Sequence, residues 1–430
     1  MNGEWFDIVV AGAGPAGLAA ACVAAQEGAR VAVLDDNPRA GGQIWRNGPV
    51  HPPAAALAAQ LQAIGARGNV TLALSTRIVA SLDERRLLIE SAQRGGARIG
   101  YRRLILATGA RELLLPFEGW TLPGVTGAGG LQALIKGGVP VRGERVVIAG
   151  SGPLLLASLA TARAAGAQVV AVVEQAAWMA VLRFGLSLAA TPAKLVQAAQ
   201  LTRGFAGLAW LTSSVVRAAQ GNGRVERAVI ERADGRIESI DCERIACGYG
   251  LVPNATLAHT LGCATRDDGA IVVDDAQRTT VDDVFAAGEC TGVGGMELAQ
   301  VEGRIAGLRA LGIERDARID ALVSEREHWR RFATRVETAF ALRGLARRLP
   351  ADDTLLCRCE DVSVGEVRAH ACWRDAKLHT RCGMGACQGR ICGGAVQALF
   401  GWDIAQGRPP ISPAQIGTLM LADDTATDAG

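Results

Sequence analysis

The chain has 430 residues, with Lys+Arg 45 against Asp+Glu 43 and a formal charge of +2. At roughly 150 residues per domain this gives two or three domains, and the balanced charge excludes a polyanion-binding surface, so no nucleic-acid partner is expected. Hydrophobic residues at 49% exclude disorder, while eleven Cys without a secretion-signal pattern exclude a disulfide-stapled secreted fold and point to reduced cytosolic thiols, some of them on metal.

The uncharged run Ile8 to Gln26 is long enough for a membrane span. Gly12, Gly14, Pro15 and Gly17 in its middle and the acidic flank of Glu4 and Asp7 argue against one, and no transmembrane segment is read. Phe6–Ala11 instead reads as a buried parallel strand, Gly12-Ala-Gly-Pro-Ala-Gly17 as a turn, the stretch to about Gly28 as a helix, and Val31–Asp35 as a second strand ending in a carboxylate. Gly12 permits the turn, Gly14 lets backbone approach a pyrophosphate, and Gly17 lets helix and strand pack closely. The helix N-terminus offers free N–H groups to phosphate, and Asp35 can accept from a ribose hydroxyl. Together these make a strong dinucleotide signature. Arg39-Ala-Gly-Gly-Gln43 follows, and Leu104–Gly109 reads as a strand ending in a tight turn.

Arg145–Gly152 and Val170–Glu174 repeat the strand, glycines, strand and acid. Glu174 without a nearby Arg favours NAD over NADP. The third glycine position is Leu155, however, which should crowd the pyrophosphate or push the helix off the strand. The site then holds NAD, holds another adenine nucleotide, or stays an empty shell. Ala176–Leu201 carries only Arg183 and Lys194 as charges and includes Trp178, Met179 and Phe184, which reads as a subunit-contact element or as extra core cover. The next strand runs from about Gly207 to Val216, and Gly248–Asn254 closes this domain. Thr280–Glu289 is another strand ending in glycine and acid, after which Gly294 and Gly295 open a helix.

These units resemble the two-dinucleotide-domain flavoprotein reductases of the glutathione and thioredoxin reductase type over residues 5 to about 310. The resemblance implies FAD in the first unit, with Gly12, Gly14, Pro15, Ala16 and Gly17 at the pyrophosphate and Asp35, Asp36, Arg39, Gly42 and Gln43 near the nucleotide. Ala107, Thr108, Gly109, Gly288 and Glu289 complete it, Glu289 standing where the family usually has Asp on the ribityl chain. It implies NAD(P)H on Gly150, Gly152 and Glu174 in the second unit. The paired cysteine of a disulfide reductase is missing near Gly42 and Gly129; Cys290 stands alone and packs or tunes the flavin environment. The five His form no spacing motif.

Glu325–Arg348 alternates both charges and reads as a solvated helix, with Pro350 breaking it. Then come Cys357-Arg-Cys359 and the run Thr380-Arg-Cys-Gly-Met-Gly-Ala-Cys-Gln-Gly-Arg-Ile-Cys392. Two close pairs on glycine-rich turns can wrap an iron–sulfur cluster, which takes four thiolates; Cys382/Cys387 and Cys387/Cys392 compete as the second pair, and four-Cys zinc remains an alternative. Cys372 is expected inside a helix. This end resembles the bacterioferritin-associated-ferredoxin-like 2Fe–2S domain of bacterial amine dehydrogenase flavoproteins, which implies Cys357, Cys359, Cys387 and Cys392 as ligands and Cys382 as spare.

The whole chain resembles the A-type subunits of opine oxidases and D-hydroxyproline dehydrogenase and the B subunit of hydrogen cyanide synthase. The expected fold class is α/β: two Rossmann-like dinucleotide-binding domains plus a small C-terminal 2Fe–2S domain. The expected division is 1–135 and 255–312 for FAD, 136–254 for the NAD(P)-like domain, 313–350 for a helical connector and 351–430 for the cluster. The resemblance implies a hetero-oligomer in which a D-amino-acid-oxidase-like flavoprotein subunit oxidises a C–N bond and this chain relays the electrons. It also allows FMN at a subunit interface, a small 2Fe–2S subunit, and a cytoplasmic complex lying peripherally on the inner membrane face through partners. A stand-alone NAD(P)H-dependent ferredoxin or dye reductase and a non-catalytic redox scaffold are the competing readings. No base for C–N oxidation is visible, and no catalytic residue is assigned.

Overall fold

The computed structural model describes residues 1–202, 208–404 and 408–422. The chain divides into two compact units, one of Met1–Arg111, Val252–Ala333 and Gln406–Gly430, the other of Glu112–Leu251 and Thr334–Ala405.

In the first unit, runs of Val, Ile, Leu and Ala that are apolar on both faces form the middle of a seven-stranded sheet. Val70–Ala73, Val31–Leu34, Trp5–Ala11, Gly95–Leu106 and Val284–Ala286 lie parallel in that spatial order. Gly95–Leu106 is long enough to serve three partners, Val284–Ala286 pairing with its end. Its first half pairs antiparallel with Arg86–Ser91, which pairs with Thr76–Leu82, and its second half runs parallel to Trp5–Ala11. The strand expected from Thr280 shortens to Val284–Ala286, because Asp283 takes a positive φ of 65° and turns the chain just before it. The uncharged run Ile8–Gln26 is strand Trp5–Ala11 followed by helix Pro15–Gln26. Among the described residues no helix is long and apolar enough to cross a membrane.

The second unit repeats the plan. Ala209–Leu211, Gln168–Glu174, Arg145–Gly150, Arg244–Gly248 and Val125–Gly127 form a five-stranded parallel sheet, beside an antiparallel meander of Ser214–Gln220, Arg227–Arg232 and Ile237–Asp241. Of the strand expected from Gly207, Gly207 itself lies outside the described residues. In each sheet the strand before the glycines is flanked on one side by its successor and on the other by a later strand. That reversal opens a crevice at the strands' carboxyl ends, where α/β folds bind ligands.

Three expectations change. Leu155 does not push its helix away: it is 1% exposed and packs with Val146, Ile148 and Leu159 in the core of the second unit. The charged helix spans Ala317–Phe340 and stops eight residues short of Arg348. Cys372 is exposed, because it is the N-cap of helix Trp373–Thr380 rather than a member of it. The segment Ala176–Leu201 forms helices Trp178–Ser187 and Pro192–Leu201, neither with a buried residue, while Ala176, Leu188 and Thr191 outside them are buried.

Candidate functional site

The first crevice is shaped by glycines that could be nothing else. A methyl on Gly12, at φ +114°, would lie 2.2 Å from the Ala107 carbonyl oxygen, and one on Gly17 would lie 1.9 Å from the Gly12 oxygen. Gly14 is different: a methyl there meets nothing nearer than the Gly42 Cα at 3.8 Å, so its glycine serves open space above the loop. Gly14 is also the N-cap of helix Pro15–Gln26, which has no side-chain cap and no acid in its first turn. Its first N–H groups are therefore left for an anion. Asp35 Oδ2 accepts from the Ala13 N–H (2.7 Å) and Oδ1 from the Asn37 N–H (2.9 Å), which fixes the carboxylate against the glycine loop. Ala107–Gly109 is locked by Asn254, whose carbonyl accepts from Thr108 Oγ1 (2.6 Å) and whose N–H donates to the Gly109 carbonyl (2.9 Å). Asp36, Arg39 and Gln43 are exposed at the rim, and Gly42 faces Gly14.

Gly288 and Glu289 arrive from the late strand. The Gly288 N–H and the Thr291 hydroxyl both donate to Glu302 Oε2 (3.0 and 3.1 Å), which holds the turn. Glu289 Oε1 accepts from the Gly295 N–H (2.7 Å), while its Oε2 is buried without a hydrogen-bond partner. Burial pushes the Glu289 carboxyl up against the opposing Gly295 and Gly294 N–H groups, and burial likewise pushes up Glu302. Cys290 is fully buried and donates to the Leu106 and Ala287 carbonyls (3.4 Å each), and burial raises its thiol to about 11, which disfavours the thiolate.

The second crevice holds part of the chain itself. Ser151 Oγ donates to the Phe340 carbonyl (2.9 Å), and Gln175 Nε2 donates to the Phe340 and Ala341 carbonyls (3.3 and 3.1 Å). The Arg343 N–H donates to Gln175 Oε1 (3.1 Å). The Phe340 ring lies 3.4 Å from where a methyl on Gly152 would be, and stacks edge-on with Phe184 at 5.1 Å between centroids. Glu174 accepts from the Gly152 and Ala176 N–H groups (2.8 Å each) and is 1% exposed. Gly150 is pinned at φ +135° against the Gly248 carbonyl. Capture of the Phe340 and Ala341 carbonyls also explains why the charged helix ends where it does.

The C-terminal cysteines converge. The Sγ atoms of Cys357, Cys382 and Cys392 lie within 4.8 Å of one another, all buried, while the Cys359 and Cys387 thiols contact each other beside them. Burial opposes the Cys387 thiolate, but the Ile391, Gly389 and Arg390 N–H groups and the Cys359 thiol outweigh it and hold the Cys387 pKa below its ordinary value. Arg358, between two of these cysteines, stacks over Trp120 at 5.1 Å, and Trp120 Nε1 donates to the Leu355 carbonyl (2.6 Å).

A family model described as pyridine nucleotide-disulphide oxidoreductase matches residues 6–306. The chain belongs to that family. The A-type opine oxidase subunit of Rhizobium meliloti (strain 1021) is 32% identical over 96% of this chain and 98% of that protein. Hydrogen cyanide synthase subunit HcnB of Pseudomonas aeruginosa is 32% identical over 89% of this chain and 90% of its own length. Among solved structures, L-proline dehydrogenase from P. horikoshii gives a TM-score of 0.65 at 20% identity, covering 96% of this chain and 79% of that one. T. acidophilum thioredoxin reductase gives 0.57 at 20% identity over 72% and 98%; at such identities these two bear on the fold alone.

Membership of the pyridine nucleotide-disulphide oxidoreductases makes the chain an oxidoreductase and implies FAD. The first crevice fits that cofactor: an uncapped helix end, open space over Gly14, and a buried Glu289 oxygen lacking a donor. The thiols are compatible with an iron–sulfur site. Two features escaped the sequence. Helix Met296–Ala310 crosses helix Pro15–Gln26 on Gly303 and Gly307, where methyls would lie 2.1 Å from the Ala16 and 2.7 Å from the Ala20 carbonyl oxygens. The Gly-x3-Gly spacing was the available signal. His370 and His379 stack at 5.1 Å around Asp375 although eight residues separate them.

Proposed function

We propose that this chain is the electron-relay subunit of a heteromeric dehydrogenase that oxidises C–N bonds of D-amino acids or related amines, of D-hydroxyproline, opine or glycine type. Relatives named as subunits of opine oxidase and hydrogen cyanide synthase support this reading. The oxidising partner is a D-amino-acid-oxidase-like flavoprotein. FAD accepts an electron pair and releases electrons singly, and a 2Fe–2S cluster carries them one at a time.

The chain's own residues do the holding. The Gly12–Gly17 loop and the first N–H groups of helix Pro15–Gln26 would bind the pyrophosphate; Asp35 would orient the ribose side, and the partnerless Glu289 Oε2 would accept from a flavin hydroxyl. Cys357, Cys359, Cys387 and Cys392 are assigned as cluster ligands, and 351–430 as the domain that presents them. The apolar faces of Trp178, Met179, Leu182 and Leu186, all exposed, are assigned to partner contact.

One observation carries the choice between an electron relay and a nicotinamide reductase. Ser151 and Gln175 are already bonded to the Phe340 and Ala341 carbonyls within the chain, and the Phe340 ring covers the glycine loop. Electrons then have to come from a partner. Co-expression with an adjacent D-amino-acid-oxidase-like subunit tests this: amine-dependent dye reduction should require both chains. Full activity from the partner alone would remove the relay role.

A further inference from the structure

The cysteine cluster has five thiols where a two-iron centre takes four. The surplus is not evenly spread. Cys357, Cys382 and Cys392 are 1%, 0% and 2% exposed, and their sulfurs lie mutually within 4.8 Å. Two sulfurs sharing one tetrahedral metal at about 2.3 Å stand about 3.8 Å apart, so any two of the three are a small movement from a common iron. Cys359 is exposed and Cys387 half-buried, and that pair has no third thiol of its own among the described residues.

Cys382 is held in place by its surroundings. Arg381 ends helix Trp373–Thr380 in the left-handed region at φ 65°, and the Cys382 N–H donates to Thr380 Oγ1 (3.2 Å). Gly383 follows at φ +79°, where a methyl would strike the buried Trp373 ring at 2.6 Å. The turn therefore has one way to lie, and it aims the Cys382 sulfur inward.

We propose that Cys382 is a reserve ligand: the buried iron can be held by any two of Cys357, Cys382 and Cys392, whereas the outer iron depends on both Cys359 and Cys387. This rests on the reading that the thiols hold a 2Fe–2S cluster, with Cys357 and Cys392 in the native set. Exchange is then a ligand substitution at constant charge: the Cys382 thiol loses its proton as its sulfur binds iron, the displaced Cys357 or Cys392 thiolate takes up a proton, and the iron oxidation state does not change.

The test uses the full chain with its flavin, purified anaerobically, and reads iron, acid-labile sulfide, visible circular dichroism and the reduced-state EPR spectrum. Flavin content serves as the folding control. Cys382→Ser should keep wild-type iron and an unchanged spectrum. Cys392→Ser and Cys357→Ser should each keep most of the iron but with a shifted spectrum, because a different sulfur binds. Cys382→Ser combined with Cys392→Ser, and Cys387→Ser alone, should lose iron by roughly tenfold or more. Flavin-loaded Cys392→Ser or Cys357→Ser without iron, beside a wild type that has it, overturns the reserve role alone. Wild-type protein without iron, or with zinc in its place, overturns the cluster reading beneath it.

Discussion

Replacing Gly303 by Ala tests how the flavin loop is held. The added methyl would lie 2.1 Å from the Ala16 carbonyl oxygen and 3.0 Å from the Ala16 Cα. Both are backbone atoms, so no rotamer change relieves them, and the helices must part by about 1 Å or more to restore ordinary contact. Overpacking of this kind costs about 1–3 kcal/mol, and the upper end applies where backbone is struck. Alanine in a helix interior returns about 0.5–1 kcal/mol, leaving a net loss of about 2–2.5 kcal/mol. At about 2–4 °C per kcal/mol for a unit of this size, thermal unfolding should fall by about 4–10 °C. Flavin occupancy should drop too, because Ala16 lies in the first turn of the helix whose N-terminus is proposed to hold the flavin phosphates. Gly307→Ala, with its clash at 2.7 Å, should do less, and Gly185→Ala, with nothing within 4 Å, should leave unfolding unchanged or slightly later. Calorimetry together with the flavin-to-protein absorbance ratio reads all three. A Gly303→Ala protein with wild-type melting and full flavin would refute the close-crossing reasoning.

Gly14→Val should give a folded, flavin-free chain, since the space above Gly14 is open in the protein alone but lies in the phosphate path; retention of flavin on gel filtration would contradict it. Burial raises the Glu302 carboxyl above its ordinary 4.5, so the folded chain keeps a proton that the unfolded chain releases. Wild-type stability relative to Glu302→Gln should therefore decline as pH rises from 4.5 through the folded value and then level off, read from urea midpoints over about pH 4 to 8; a rising difference would reverse the assignment. Phe340→Ala removes the half-buried ring over Gly152 at a cost of about 2 kcal/mol. Proteolysis near residue 341 should quicken and NADH binding should become measurable; unchanged proteolysis would show that the ring does not anchor this segment.

The flavin unit was legible because its chemistry is local: strand, glycines and helix follow one another, and each glycine faces a specific carbonyl or open space. The second unit carried the same local signs, and Leu155 stood out there as the residue in the third glycine position. Its consequence was not legible, since a helix can shift to seat a leucine in its core. What fills that crevice comes from Phe340, which lies 189 residues from Ser151 in sequence, and a tertiary contact of that range leaves no periodic trace. The cysteine spacing pointed to a metal site, and the thiols of Cys357, Cys382 and Cys392 do converge. The inward turn of Cys382 depends on a left-handed Arg381 and on Trp373 beneath Gly383, neither of which spacing encodes. Cys372 escaped for a smaller reason, a one-residue helix boundary that moved it to an exposed cap.

The most direct measurement is anaerobic rapid mixing of the purified, flavin-loaded complex, followed at the flavin absorbance. Amine substrate in the presence of the partner subunit should bleach this chain's flavin within the time of one turnover, and NADH should leave it oxidised. Prompt bleaching by NADH without partner or amine would contradict the account.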